Sequence, residues 1–399
     1  MPGALSSGRL STYFQRKPGK EHTVGLDVEP PPRENIFWHP GLGDAPPPAN
    51  FTPGVMPLLK RALVKTHAKG TTRQAYLCCD SATHVATERW DMGWGCGYRN
   101  FLMACTALMG QHERPEYAQL LEQPMPPGVR NLQRWIQTAW RDGYDAEGAR
   151  QLKNRLVGTK RWIGTGELYT AFTHRGIPCR LVDFPNVAPQ VILKWVRDYF
   201  DPQAEKSSIG NAVDAIKGAS PVVITKKMPL VLQHAGHSRT IVGIEVNRAG
   251  DTNLLIYDPS RRPARQVREA ALAAHLKIEV AHRGYQNKLS RVLHPFNRRK
   301  RERADEGASM PSAKKVRVDE NGNAGAGAQQ NLPETHTRAA SLALAETQLD
   351  PLKLVKLFRL NSSKVGKNSK YQILWFPMTE PYTDDQRWAH REVRSEQIR

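Results

Sequence analysis

Gly93-Trp94-Gly95-Cys96-Gly97-Tyr98 is the stretch on which the reading of this chain turns. A glycine-rich turn runs into a helical pattern, Tyr98 to Met109 (YRNFLMACTALM), that reads as buried. A cysteine is a useful nucleophile only as thiolate, and the positive end of a helix lowers its pKa. Cys96 stands where that end would lie. Its own backbone N–H would point at a substrate carbonyl oxygen and serve as one oxyanion donor. The flanking glycines leave room for a close approach, and Trp94 can wall the cleft. The plain alternative is a buried structural cysteine beside a glycine turn.

A thiol needs a base, and the base needs a group that orients it. Gln233-His234-Ala235-Gly236-His237-Ser238-Arg239-Thr240 opens a strand pattern (TIVGIEV), and Leu254-Leu255-Ile256-Tyr257-Asp258-Pro259 ends the next. His237 and Asp258 are 21 residues apart, which suits two strands and a reversing connection. If the strands are neighbours, both side chains meet at one edge of a sheet. Taken singly, a strand-end His is a structural residue and an Asp before Pro a turn former; only the joint arrangement points to catalysis.

The rest of the chain divides by composition. Residues 1–55 are rich in Pro and Gly (PPPREN, GDAPPPAN) and read as a disordered leader. Residues 56–283 form the folded body. Beyond the cysteine helix, helices are expected at 130–141, 165–175, 188–200 and 264–277, and strands at 178–184, 221–225, 239–246 and 253–258. Residues 284–345 are basic, then Gly/Ala/Asn/Gln-rich, and read as a disordered insertion. Order is expected to return over 346–380, with a helix at Pro351–Phe358 and a strand at Tyr371–Phe376, before a C-terminal tail at 381–399. Helices first and strands later predict an α+β fold in which a helix presents the thiol and a sheet presents the base.

Hydrophobic residues make up 39% of the 399 and charged residues 24%, a globular average. No run of about 18 apolar residues occurs, so a membrane-spanning helix is not expected. The cysteines (78, 79, 96, 105 and 179) are odd in number and lack C-x-x-C spacing, which argues for a reducing compartment and against a zinc finger. The net charge of +20 is concentrated: Arg283 to Arg317 holds eleven Lys/Arg against three Asp/Glu. Arg298-Arg299-Lys300-Arg301 followed by Lys314-Lys315-Val316-Arg317 looks like a two-part nuclear signal, predicting nucleus and cytoplasm as locations. A solvated basic loop is the plain alternative. Nucleic-acid contact by the same charges is open, with no recognition fold to support it.

GWGCGYRN (93–100), the stretch 131–169 ending KRWIGTGELY, CRLVDF, QHAGHSRTIVGIE and LLIYDP together resemble the ubiquitin-fold-modifier-specific peptidase family. More narrowly, they are similar to its zinc-finger-containing ubiquitin peptidase branch and its fungal deubiquitinase relatives. The likeness runs from about 84 to 282 and returns at KYQILWF. It implies a papain-like cysteine protease fold, with Cys96 as nucleophile, His237 as base and Asp258 orienting it, and no metal or organic cofactor. In the peptidases for the ubiquitin-fold modifier the histidine directly follows Asp-Pro. Here Ser260 holds that place and the histidine lies in Gly236-His237-Ser238-Arg239, as in the ubiquitin-cleaving branch. Ubiquitin or polyubiquitin is therefore the expected partner.

By the same likeness, Asp145 and Glu167 match acidic residues that hold the arginines of the ubiquitin tail, the plain alternative being surface or helix-capping carboxylates. Trp94 would join them along that tail. For a side-chain oxyanion donor His84 comes first, with Gln74 and Tyr76 behind it. The expected activity is hydrolysis of the isopeptide bond after the ubiquitin C-terminal glycine. The alternatives are a protease for another ubiquitin-like modifier and a catalytically idle ubiquitin-binding nuclear adaptor.

Overall fold

A computed structural model of the chain describes residues 33–42, 45–201, 220–277 and 349–399. The basic segment with its nuclear signal, the whole of the expected insertion and residues 1–32 of the expected leader lie outside the described residues. The fold is α+β, with the papain-like plan of a thiol-bearing helix packed on a largely antiparallel sheet.

The first helix, α1 (Val55–Ala68), precedes strand β2 (Thr72–Leu77), and a small ribbon pairs β1 (Phe51–Thr52) with β3 (His84–Val85). The cysteine helix α2 spans Cys96–Gly110, and thirteen of its fifteen residues are buried, so it runs through the core rather than along it. A short helix, α3 (Glu116–Glu122), follows. Helix α4 (Val129–Arg141) buries Leu132, Trp135, Ile136, Ala139 and Trp140, one face at 3.6-residue spacing. Then come α5 (Ala146–Gln151), α6 (Thr165–His174), β4 (Arg180–Pro185) and α7 (Pro189–Phe200), which starts on a proline as an N-terminal turn allows.

The second half builds the sheet from β5 (Val222–Ile224), β6 (Leu230–His234), β7 (His237–Asn247) and β8 (Thr252–Tyr257), followed by a helix at 265–277. After the helix Pro351–Phe358 come β9 (Arg359–Asn361), β10 (Lys370–Trp375) and β11 (Ser395–Gln397). Strand order is β11-β4-β10-β6-β7-β2-β5, with β8 on the other side of β7 and β9 beyond it. All pairs are antiparallel except β4–β11 and β2–β5. The expected return of the fold is thus structural in the strict sense. Strand β10 sits between β4 and β6, with Ile373 opposite both Val182 and Leu232.

Two expected boundaries are corrected. The leader gives way to folded chain well before residue 55. Trp38 is 3% exposed and Phe51 fully buried, Asn35 accepts from the backbone N–H of Asn131 at the start of α4, and Glu34 pairs with Arg130. Burying one such aromatic is worth about 2–3 kcal/mol, enough to dock a proline-rich segment that needs no ladder of its own. The expected C-terminal tail is likewise part of the fold: β11 pairs with β4, a helix forms at Asp384–Ala389, and the Tyr382 amide donates to the Gly176 carbonyl. Its polar composition hid a strand whose partner lies over 200 residues earlier in sequence.

Candidate active site

Cys96 is the first residue of α2, preceded by Gly95 as N-cap. A first-turn amide has no carbonyl four residues back, and among the described residues no acceptor sits on the Cys96 N–H. The turn before it is tied down by a buried ion pair. Arg99 Nε lies 2.6 Å from Asp91 Oδ2 and its Nη2 3.2 Å from Glu88, while the Trp94 and Gly95 amides donate to the Asp91 carbonyl. Both neighbouring glycines are required by space. A Cβ on Gly95 would stand 2.3 Å from the Asp91 carboxylate, and one on Gly97 2.4 Å from the Ile163 carbonyl oxygen.

Strands β6 and β7 are joined by a two-residue turn, with His234 opposite His237 and Gly236 at φ +80°, a left-handed conformation that suits glycine. Strand β8 runs back so that Tyr257 faces Thr240, which brings Asp258 level with Arg239. His237 Nε2 lies 2.9 Å from Asp258 Oδ1, and Arg239 Nε donates to Oδ2 over 2.9 Å. The Ser260 amide donates to Oδ1 as well. The Cys96 sulfur lies close enough to His237 for each to shift the other's ionisation. Because Nε2 is taken by Asp258, the nitrogen turned to sulfur is Nδ1. The three residues expected to act together are therefore in contact, at the start of one helix and the ends of two strands.

Electrostatics fit an ion pair. Burial opposes ionisation of Cys96, but hydrogen bonds from His237 and Ser238 outweigh it and hold the thiol below its ordinary value. Burial also opposes protonation of His237, yet Asp258 and Cys96 together push it up to about 9. Asp258 is held well below the usual carboxylate range: burial works against this, and His237 and Arg239 override it. Both shifts favour the thiolate–imidazolium form of the pair over the neutral form. Of the five cysteines, only Cys96 is partly open; the other four are buried.

Several contributors were not anticipated. Asn100, fully buried on α2, donates to Ser238 Oγ at 2.9 Å and to the Cys96 carbonyl, and accepts from Thr240 Oγ1 at 2.8 Å. It fastens the cysteine helix to the histidine strand. Arg239 bridges Asp258 to His234, whose Nε2 accepts at 2.8 Å. Trp162, 39% exposed, stands across from Gly236, its ring 3.8 Å from where a Cβ would be. All of these lie inside the motifs already quoted. Their spacing alone could not say which of them faced the thiol.

Other expected residues hold different positions. His84 donates from Nε2 to the Asp258 carbonyl, 3.1 Å away, and its ring packs edge-on to Tyr257. Burial, partly offset by Asp258, lowers its pKa to about 4, so it is neutral. Its single N–H is then the one facing that carbonyl, and Nδ1 is left as an acceptor, which cannot serve an oxyanion. His84 supports Asp258 from behind. Tyr76, opposite Ile244, and Gln74, opposite Val246, lie toward the far end of β7 from His237 and hydrogen-bond each other. None of the three is placed as the oxyanion donor.

Trp94 is 5% exposed, packed among Trp90, Tyr98 and the Arg130 guanidinium, and so braces the turn more than it walls a cleft. Asp145 is 1% exposed and caps α5: Oδ1 accepts from the Gly148 amide and Oδ2 from Thr170. Glu167 accepts from the Gly164 amide at the start of α6. For these two the capping alternative describes the bonds seen. Among the described residues no group of His, Cys, Asp and Glu could hold a metal, and no helix is long and apolar enough to cross a membrane.

Residues 71–294 match the model of peptidase family C78. The zinc finger-containing ubiquitin peptidase 1 of Rattus norvegicus is 38% identical over 191 residues, covering 47% of this chain and 30% of the relative. The human protein of that name is 36% identical over 202 residues, 49% of this chain and 32% of its own length. The ubiquitin carboxyl-terminal hydrolase mug105 of Schizosaccharomyces pombe is 30% identical over 175 residues, 43% of this chain and 62% of that protein. The chain thus spans about a third of the length of the zinc finger-containing relatives it matches.

Proposed function

Since the chain belongs to peptidase family C78, we propose that it is a thiol peptidase that hydrolyses the bond after the C-terminal glycine of ubiquitin, with Cys96, His237 and Asp258 as its catalytic groups. The observation that carries this reading is the position of His237, between the Asp258 carboxylate 2.9 Å away and the sulfur at the start of α2.

In this reading the Cys96 thiolate attacks the glycine carbonyl carbon, and the Cys96 N–H holds the oxygen as it gains charge. His237 gives its Nδ1 proton to the departing lysine amine, then draws a proton from the water that releases the acyl-enzyme. Asp258 fixes the ring and keeps the imidazolium stable. A guanidinium of an incoming tail would have to join the hydrogen bonds that Asp145 and Glu167 already make.

Ubiquitin is favoured over the ubiquitin-fold modifier because Ser260, not a histidine, follows Asp258-Pro259, and its amide is spent on the carboxylate. Two relatives that carry ubiquitin in their names point the same way. The test is labelling with ubiquitin bearing a C-terminal propargyl group, beside the same group on the ubiquitin-fold modifier. A ubiquitin adduct lost in Cys96→Ala supports the reading. An adduct with the other modifier alone would reassign the substrate, and no adduct with either would remove the enzyme.

A further inference from the structure

Arg239, Arg261, Arg359, Lys364 and Lys367, together with His234, line one cleft of about 210 Å³. It lies on the sheet face turned away from α2. Ser238 and Thr240 point to Asn100 on α2, so Arg239, which lies between them along the strand, points the other way. Neighbouring strands supply the floor, through His234 and Tyr371 opposite one another, Arg239 and Leu360, and the segment 361–368 forms the wall.

No carboxylate lines this cleft among the described residues. The two that adjoin it are already engaged. Asp258 takes His237 and Arg239, with Arg261 at 3.9 Å, and Glu245 holds Arg359 through two bonds of 2.7 Å. Arg239 and Arg359 each keep one terminal nitrogen without a protein partner among the described residues: Nη2 of the first and Nη1 of the second. Lys364 and Lys367 are exposed and pair with no described carboxylate. Five cations share two adjoining carboxylates, so the opening keeps an excess of positive charge that a bound anion would offset.

We propose that this cleft is a binding site for an oxyanion of the phosphate class, carried as free phosphate or as a phosphomonoester on a peptide. Forked guanidinium groups and point-charge ammonium groups approach from several directions. That arrangement suits a tetrahedral dianion with several acceptor oxygens better than a planar carboxylate with two. The inference does not depend on the peptidase reading, because it is tested by binding.

Calorimetric titration of the full chain would compare inorganic phosphate, a phosphoserine peptide and the same peptide with aspartate in that position, at constant ionic strength. Lys364→Ala/Lys367→Ala removes two cleft charges. Lys65→Ala/Lys69→Ala removes the same charge from exposed positions on and just after α1. Phosphate is expected to bind, and the cleft variant to weaken it by roughly tenfold or more, with the α1 variant unchanged. The tighter of the two phosphate forms then identifies the source. Equal weakening in both variants, equal binding of the aspartate peptide, or no phosphate binding would each overturn the proposal.

Discussion

Nδ2 of Asn100 donates to Oγ of Ser238 across 2.9 Å, and this bond joins the helix that carries the thiol to the strand that carries the histidine. Cysteine and histidine lie on different layers of the molecule. Their spacing is therefore set by whatever fixes one layer to the other, and at this end of the molecule that is the Asn100 side chain with Ser238 and Thr240.

Asn100→Ala leaves the Ser238 and Thr240 hydroxyls short of a buried partner, at a cost of about 1–3 kcal/mol. The melting temperature is expected to fall and kcat/KM on a fluorogenic ubiquitin amide to fall further, since the thiol and imidazole drift apart. Unchanged melting and rate together would show that the clamp carries nothing.

The pH dependence follows from the ion pair. Hydrolysis needs thiolate and imidazolium at once, so kcat/KM should form a bell. The acid limb reports Cys96, held below its ordinary 9.0, and the alkaline limb reports loss of the His237 proton at about 9. Asp258→Asn removes the charge that raises His237, so the alkaline limb should move down. The weaker imidazolium in turn lets the thiol rise, and the bell narrows from both sides. A bell of unaltered width would mean that Asp258 does not set these values.

Iodoacetamide near pH 7 should modify Cys96 well before Cys78, Cys79, Cys105 and Cys179. The first is partly open and its thiol pKa is held down, while the other four are buried, and burial pushes Cys179 up to about 12. Mass mapping of the alkylated peptides reads the order directly. Preferential labelling of any other cysteine would contradict the activated-thiol geometry.

Arg99→Ala strands Asp91 as a buried charge without its partner, and such breaks cost about 3–5 kcal/mol. The expected result is strong thermal destabilisation. Pairing it with Asp91→Ala should recover part of the loss, because the fully buried carboxylate goes with its partner; a double variant worse than the sum would argue against a simple pair.

Gly97→Ala sets two effects against each other. Helix propensity favours alanine by about 1 kcal/mol, yet the new methyl would press on the Ile163 carbonyl, a backbone atom that cannot swing aside. The contact is expected to win, pushing the 160–164 segment off α2 and lowering kcat/KM together with the melting temperature. A gain in stability at full activity would show that this segment yields freely.

The sequence by itself determined the parts whose information is local or carried by long motifs. The helix after Cys96, the strands around His237 and Asp258, the α+β class and the return of the fold at Lys370–Trp375 could all be read from periodicity and turn residues, because these report backbone geometry over a few positions. What each polar side chain does once the chain is folded could not be read that way. His84 became a neutral prop for Asp258 because burial removed its charge and its one N–H met a carbonyl. Asp145 and Glu167 turned inward to cap helices, and Trp94 was enclosed by two aromatics and a guanidinium. Trp38 and Ser395–Gln397, in stretches that read as leader and tail, found their partners across long sequence separations. Hydrogen-bond partners and solvent exposure are set by which surfaces meet in three dimensions. Only the tertiary structure could decide them.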